Sequence, residues 1–404
     1  MTPEELGFDS RRLSRIAELT HRYVDEGKWP CALVAVHRHG REVYRDAYGM
    51  ADMERRTPVA DDTVFRLFSM TKPITSIGLL QLVERGIVKL EDPVSEYIPA
   101  FADSEVYVSG DADGYETRPV DRPMQVVDLL RHTSGLTYGF LESGPVDAIY
   151  TANKVGVFGR ETRSLEEVCD VLASLPLVYS PGDHWQYSMS TDVCGRVIEV
   201  ASGQQLSTYI AEHVTDPLGM TETAYWVREH QADRLAANYA ATPDSKLFLI
   251  DDPKTSPAKE PPTFEGGGGG MVGTLDDYLR FCQALLNGGE LDGERVIGRK
   301  TLQVATRNHL PGGRAVSDMW LAETFAEAQM TGMGFGLGFS VLLDTAANRL
   351  IASDGEFAWG GAASTGFWVD PEEDLTCVIM TQQVPSGQYP IRRELRNVVY
   401  GCLT

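Results

Sequence analysis

The sequence contains no Cys-x-x-Cys pair and no cysteine–histidine spacing that suits a metal. Neither a structural zinc site nor a dithiol redox centre is expected. Its six cysteines, Cys31, Cys169, Cys194, Cys282, Cys377 and Cys402, stand far apart, mostly in apolar stretches, and read as buried free thiols. Positive charge is also scarce: 36 Lys and Arg face 58 Asp and Glu, for a net charge of −22. That balance argues against a nucleic-acid partner, whose phosphates need clustered cations, and against an anionic membrane surface. The acids are dispersed, so the charge reads as a solubility feature. No apolar run is long enough to span a membrane. The opening residues, Met1-Thr2-Pro3-Glu4-Glu5, lack the basic and apolar segments of a signal peptide, so a reducing, cytoplasmic setting is expected. No internal repeat is found. The low-complexity stretch is Gly266 to Gly270, and Met271-Val272-Gly273 follows it where a phosphate cradle needs Lys-Ser or Lys-Thr. It reads as a close backbone approach before a helix that Thr274 caps.

What is present centres on Phe68-Ser69-Met70-Thr71-Lys72-Pro73. The apolar residues after it, Ile74, Ile77, Leu79, Leu80, Leu82 and Val83, have helical spacing. A helix is expected from near Ser69 to Gly86, with Pro73 tolerated in its first turn. Residues three apart share a helix face, so the Lys72 amine can approach the Ser69 hydroxyl. The positive end of the helix dipole disfavours a protonated Lys72 and favours negative charge on Ser69. That is the chemistry of a serine nucleophile with a lysine base. Ser-x-x-Lys also occurs at Ser256-Pro257-Ala258-Lys259, where Pro253, Pro257, Pro261 and Pro262 preclude a helix. That copy is read as chance.

A chain of 404 residues with 43% hydrophobic content can hold two domains, or one with a large insertion. Ser10 to Gly27 reads as a helix, followed by a hairpin over Cys31 to Val36 and Arg41 to Tyr48. Phe65 to Arg307 is dominated by helical patterns, including Gln125 to His132, a capped helix opening at Ser164, one after Tyr187, and Thr274 to Leu286. Strand candidates return at Phe335 to Leu343, Leu350 to Ser353, Thr365 to Val369 and Leu375 to Thr381, before a last helix from Ile391 to Cys402. The expected fold class is α+β: an antiparallel sheet built from both termini, with flanking helices and an inserted all-helical region. Residues 1–64 and 308–404 would form one discontinuous α/β domain and residues 65–307 a mainly helical one. The site would lie in the cleft between them.

Three stretches join Ser69 as candidates. Tyr187-Ser188-Met189 offers a phenol that can relay a proton beside a cation. Trp359-Gly360-Gly361-Ala362 offers glycines along which a substrate can lie and a backbone N–H for an oxyanion hole. His132-Thr133-Ser134-Gly135-Leu136 invites a triad reading, but a histidine ending a helix before a glycine turn reads better as a structural cap. Tyr138, Phe140, Trp185, Phe357 and Trp359 are candidates to line an acyl pocket, Trp359 foremost. Glu142 to Thr162 is a candidate lid.

In this order, Ser69-Met-Thr-Lys72, Leu129-Leu-Arg-His-Thr-Ser-Gly-Leu136, Tyr187-Ser-Met, Gly267 to Leu279 and Trp359-Gly-Gly resemble the serine β-lactamase and penicillin-binding protein superfamily. Within its class C-like branch the chain is most similar to family VIII carboxylesterases. The resemblance implies the β-lactamase fold, with Ser69 as acylated nucleophile and Lys72 and Tyr187 sharing base and acid work. It implies an oxyanion hole from the N–H groups of Ser69 and Ala362, and substrate contacts from Trp359, Gly360 and Gly361. It implies no metal or organic cofactor and a small-molecule ester as substrate. Two departures from the β-lactamase pattern favour an ester. Met189 replaces the asparagine of Tyr-x-Asn, and a thioether cannot donate to a substrate carbonyl. Trp359 replaces the lysine of Lys-Thr-Gly, which removes the cation for a β-lactam or peptide carboxylate. The chain also has no Gly-x-Ser-x-Gly nucleophile elbow.

The expectation is a serine carboxylesterase for short to medium acyl esters, with weak β-lactam hydrolysis as a side activity of the shared machinery. The alternatives are an acyltransferase on the same fold, a β-lactamase or DD-peptidase-type hydrolase, and, in a different class, a sensor or binding module that acylates once and stops.

Overall fold

Strand β1 (Cys31–Arg38) shows how the terminal segments organise the protein. Its side chains alternate: Ala32, Val34 and Val36 face one apolar layer, and Cys31, Leu33 and Ala35 face another. A strand buried on both faces belongs in the middle of a sheet, and β1 sits there. The computed structural model describes residues 1–157, 159, 161–242, 246–321 and 330–404. Among these, eight strands form the main sheet: β1, β2 (Arg41–Asp52), β3 (Thr57–Pro58), β4 (Met333–Phe335), β5 (Ser340–Leu342), β6 (Phe357–Gly360), β7 (Gly366–Asp370) and β8 (Leu375–Met380). The order is β4-β5-β6-β7-β8-β1-β2-β3, antiparallel throughout. The β1–β8 pairing sets Leu33 opposite Met380 and Val36 opposite Cys377, joining the two ends of the chain.

Helices α1 (Ser10–Asp25) and α5 (Ile391–Tyr400) cover one face. Leu13, Ile16, Leu19 and Tyr23 of α1 meet Ile391, Leu395 and Val399 of α5 over Val34, Trp368 and Ile379. Each such fully buried aliphatic side chain contributes roughly 1.5–3 kcal/mol relative to exposure. Helix α4 (Leu275–Leu286), from the middle of the chain, packs on the opposite face against β7 and β8. The remaining helices surround α2 (Thr71–Glu84), which is buried on every side from Thr71 to Leu82. Its main neighbour is α3 (Ser190–Ser202). Two antiparallel pairs that the sequence pattern did not show sit among these helices: Glu105–Asp111 with Gly114–Pro119, and Asn238–Ala241 with Leu247–Asp251. No described helix is long and apolar enough to cross a membrane.

Several expected elements differ in detail. The run Phe335 to Leu343 is two short strands, because Gly336 approaches the Ala305 carbonyl and Gly338 takes φ 97° between them. Leu350 to Ser353 is not a strand: the Ile351 N–H donates to the Asn397 side chain, and Ile351 is exposed. Trp359 and Gly360 lie on strand β6, and Gly361 and Ala362 follow it. Within the candidate lid, Pro145–Ala152 is a helix, and Phe158 and Arg160 lie outside the described residues. All six cysteines are free and buried, as their apolar surroundings suggested.

Candidate active site

The chain reaches Ser69 from a short strand, Phe65–Arg66, paired with Val272–Gly273. Phe68 then takes φ 46°, a left-handed conformation that a bulky residue adopts only under constraint from its surroundings. The turn Phe68–Met70 is 3-10, and the α-helix proper begins at Thr71, two residues later than the apolar spacing suggested. Two contacts pin this turn. The Thr71 hydroxyl accepts from the Met271 N–H at 3.2 Å, and the Tyr278 phenol donates to the Met70 carbonyl at 2.8 Å. Ser69 is thereby held just before the N-terminus of a buried helix.

The structure brings Ser69, Lys72 and Tyr187 together. The Tyr187 phenol lies 2.5 Å from Ser69 Oγ, and Lys72 Nζ lies 3.3 Å from it. Lys72 is 2% exposed and has two further acceptors, the Gly268 carbonyl at 2.6 Å and the Tyr138 phenol at 3.0 Å. Three acceptors match the three protons of an ammonium group. Tyr187 is packed by rings: His132 at 5.2 Å, Tyr138 at 5.3 Å and Trp359 at 5.7 Å between centroids.

His132 ends the helix Val126–Leu130 with φ 56° and is buried. Burial, with the Lys72 charge adding to it, holds its imidazole well below the ordinary histidine range, so the ring is neutral. Its Nδ1 meets Ser188 Oγ at 3.2 Å, that hydroxyl meets Ser190 Oγ at 2.7 Å, and Ser190 Oγ meets Ser134 Oγ at 2.7 Å. The side-chain partner of His132 is thus Ser188, not Ser69, and it supports the Tyr187 loop.

Sequence reasoning missed two partners of Lys72. Tyr138 had been considered only as a pocket wall, and Asp192 not at all. Burial, with the Asp192 charge second, pushes the Tyr138 phenol well above its usual range and keeps it protonated. Asp192 lies beside it, and its Oδ1 accepts the Gly268 N–H at 2.9 Å. A Cβ at Gly268 would fall 2.6 Å from Asp192 Oδ2 and 3.0 Å from the Tyr138 phenol, so only glycine fits. Position alone does not announce this: Asp192 lies five residues after Tyr187, in the first turn of α3, and Gly268 is the centre of the glycine run, far apart in sequence.

Two cavities open on either side of Ser69, and Ser69 and Ala362 line both. The first, of about 130 Å³, is walled by Trp185, Tyr187, Trp320, Met333, Trp359 and the Gly360–Gly361 backbone. The second, of about 860 Å³, is walled by Tyr138, Phe140, Met189, Asp192, Phe264 and Gly268 to Gly270. Phe357 lines neither; it packs in the sheet against Phe339. The Arg392 guanidinium donates to the Gly361 and Thr365 carbonyls at 2.8 and 2.5 Å, fixing the turn that carries Ala362. It occupies the space a Cβ at Gly360 would need. Ser256 lines neither cavity; it caps a single 3-10 turn, Pro257–Lys259, whose Pro257 and Ala258 border the second cavity. Among the described residues no group of His, Cys, Asp and Glu side chains is placed to hold a metal.

Known proteins share the fold and the family of this chain. The family profile described as Beta-lactamase matches residues 16–400. Esterase EstB of Burkholderia gladioli is 32% identical over 421 residues, covering 99% of this chain and 98% of its own. Protein Rv1367c of Mycobacterium tuberculosis is 34% identical over 367 residues, covering 89% of this chain and 88% of its own. Among solved structures, EstCE1, described as a hydrolase with promiscuous acyltransferase activity, superposes with TM-score 0.81 at 29% identity. It covers 97% of this chain and 99% of its own.

Proposed function

The chain belongs to the beta-lactamase family, and on that premise we propose that it is a serine carboxylesterase acting on small-molecule esters. The observation that carries this reading is the position of Ser69 Oγ. It lies between the Tyr187 phenol and the Lys72 amine, at the junction of two largely apolar cavities. The ester carbonyl lies over Ser69, one substituent in each cavity. Ser69 Oγ attacks the carbonyl carbon and gives its proton to the Lys72–Tyr187 pair. The N–H groups of Ser69 and Ala362 stabilise the oxyanion, a contribution worth roughly 3 kcal/mol per donor in such sites. Collapse breaks the bond to the alcohol oxygen, which takes the proton back through Tyr187. Water then repeats the sequence on the acyl-enzyme and frees the acid.

Substrate polarity follows from the walls. Trp359 stands beside Ser69 on strand β6, with rings of Tyr187 and Phe335 against it. This aromatic wall suits neutral, apolar groups, and of the arginines that also border the cavity, Arg392 and Arg393 are bound to backbone carbonyls and Arg396 to Glu356. Acyl transfer to an alcohol is the second reading, favoured by the aromatic lining, which limits water, and by the promiscuous acyltransferase activity described for EstCE1.

The test is hydrolysis of a short-chain p-nitrophenyl ester by the wild type beside Ser69→Ala. Turnover that disappears in the variant supports both the reaction class and the nucleophile. A folded wild type without ester turnover overturns the reading, and β-lactam, peptide and acyl-acceptor substrates are then assayed in its place.

A further inference from the structure

The mechanism above uses Ser69, Lys72 and Tyr187 and leaves a buried carboxylate unused. Asp192 is 3% exposed and lies beside the Lys72 cluster: Lys72 Nζ donates to the Tyr138 phenol, and that phenol and Asp192 Oδ2 flank the same side of Gly268. Gly268 joins Lys72 to Asp192, its carbonyl accepting from the one and its N–H donating to the other. A buried carboxylate needs such partners, because an unpaired charge there is costly. Burial pushes the Asp192 carboxyl up, and Lys72, the Gly268 N–H and Tyr138 oppose that push.

We propose that Asp192, acting through Tyr138 and Gly268, is the positioning residue that sets the pH at which the Ser69–Lys72–Tyr187 unit becomes active. The inference rests on the reading of Ser69 as nucleophile. The productive unit holds one proton fewer than the fully protonated one, whether the missing proton is counted on Lys72 or on Tyr187. A negative charge one phenol away stabilises the protonated, inactive form. Asp192 therefore moves the acid limb of the rate to higher pH, and in return it holds the Lys72 amine pointed at Ser69. Other ionisable groups face this cluster. His132 senses the Lys72 charge, and Tyr225, Cys169 and Cys194 sense the Asp192 charge. Burial keeps all four neutral, and Glu199, Glu265, Asp170 and Arg196 act on them from further out, so Asp192 is the acidic group set among the four.

The test uses a p-nitrophenyl alkylphosphonate as probe, so that it does not depend on ester turnover. Ser69 Oγ attacks phosphorus, p-nitrophenolate leaves, and the serine proton passes to Lys72–Tyr187. Release of p-nitrophenol and the intact mass give the labelling rate from pH 5 to 10. Asp192→Asn is nearly isosteric and keeps an oxygen for the Gly268 N–H, so the cradle is retained. Its acid limb is expected to move down by about one pH unit. At the pH where the wild type has a tenth of its plateau rate, the variant then runs several-fold nearer its own plateau. Tyr138→Phe, which removes the hydroxyl but keeps the ring, is expected to shift in the same direction by less. Lower plateaus with the wild-type acid limb in both variants would mean that Asp192 and Tyr138 are only structural, and would overturn the proposal. Normal labelling with no ester turnover would instead count against the esterase reading alone.

Discussion

The Tyr187 phenol is nearer to Ser69 Oγ than the Lys72 amine is, at 2.5 against 3.3 Å, while Lys72 spends its protons on three oxygen acceptors. On the proposed mechanism the direct exchange of a proton with the nucleophile falls to tyrosine, with the lysine chiefly as its charge partner. Tyr187→Phe is expected to keep the fold and lower kcat by about 10²–10⁴-fold with little change in KM. Steady-state kinetics check this, and a variant within a factor of a few of wild type would return the base role to Lys72.

Trp359 lines the smaller cavity and packs on Tyr187 and Phe335. Trp359→Ala removes a large apolar wall. KM for apolar esters is expected to rise roughly 10- to 100-fold, the scale of one to three kcal/mol of lost contact. Adding a charge in the same place, as Trp359→Lys, is expected to improve the relative use of carboxylate-bearing substrates. A panel of neutral and acidic esters separates the two effects.

Ser256 belongs to a structural knot. Its hydroxyl accepts from Arg66 at 3.0 Å and from the Ala258 N–H at 3.1 Å, and donates to Asp251 at 3.0 Å. Ser256→Ala is expected to leave kcat/KM unchanged and to cost about 1–2 kcal/mol of stability, because Arg66 is buried beside it. A melting curve and an esterase assay on one preparation suffice. A large loss of rate would point to the wrong serine having been chosen.

Asp277, in the first turn of α4, accepts from the Glu222 N–H and the Thr223 hydroxyl, both at 2.8 Å. Burial raises its carboxyl to about 6 despite these bonds. A raised value means that its contribution to stability is full below the unfolded carboxyl range, near pH 4, and is lost as pH rises through about 6. Asp277→Asn keeps an acceptor for both donors and avoids the buried charge. Its Tm is expected to exceed that of wild type at pH 7–8, by an amount equivalent to at most roughly 3 kcal/mol, and to match it near pH 4. An advantage that persists unchanged at pH 4 would count against ionisation as the cause.

Much of this was legible because single positions report single facts. The apolar run Cys31 to Val36 before the turn at Gly40 announced a hairpin strand, and Ser69 with Lys72 announced a shared helix face. Three things were not legible. Asp192 and Tyr138 become partners of Lys72 only through folding: their burial and their meeting at Gly268 join segments far apart in sequence. The split of Phe335 to Leu343 depends on a carbonyl of Ala305 approaching Gly336. The start of α2 at Thr71 is fixed by contacts from Met271 and Tyr278, which local spacing does not contain.

The pairing of β1 with β8 has a consequence for how the protein is made. Cys31–Arg38 leaves the ribosome more than three hundred residues ahead of Leu375–Met380. Until then β1 has one neighbour, β2, and an open edge whose side chains are apolar on both faces. Such an edge is a site for mispairing with other chains, and contacts this distant in sequence close slowly. Ser69 is synthesised early and Ala362 late, so the two walls of the cleft meet only once synthesis is nearly complete. The nascent chain carries its reactive serine for most of its synthesis without the geometry to use it, and the appearance of activity marks the moment of sheet closure.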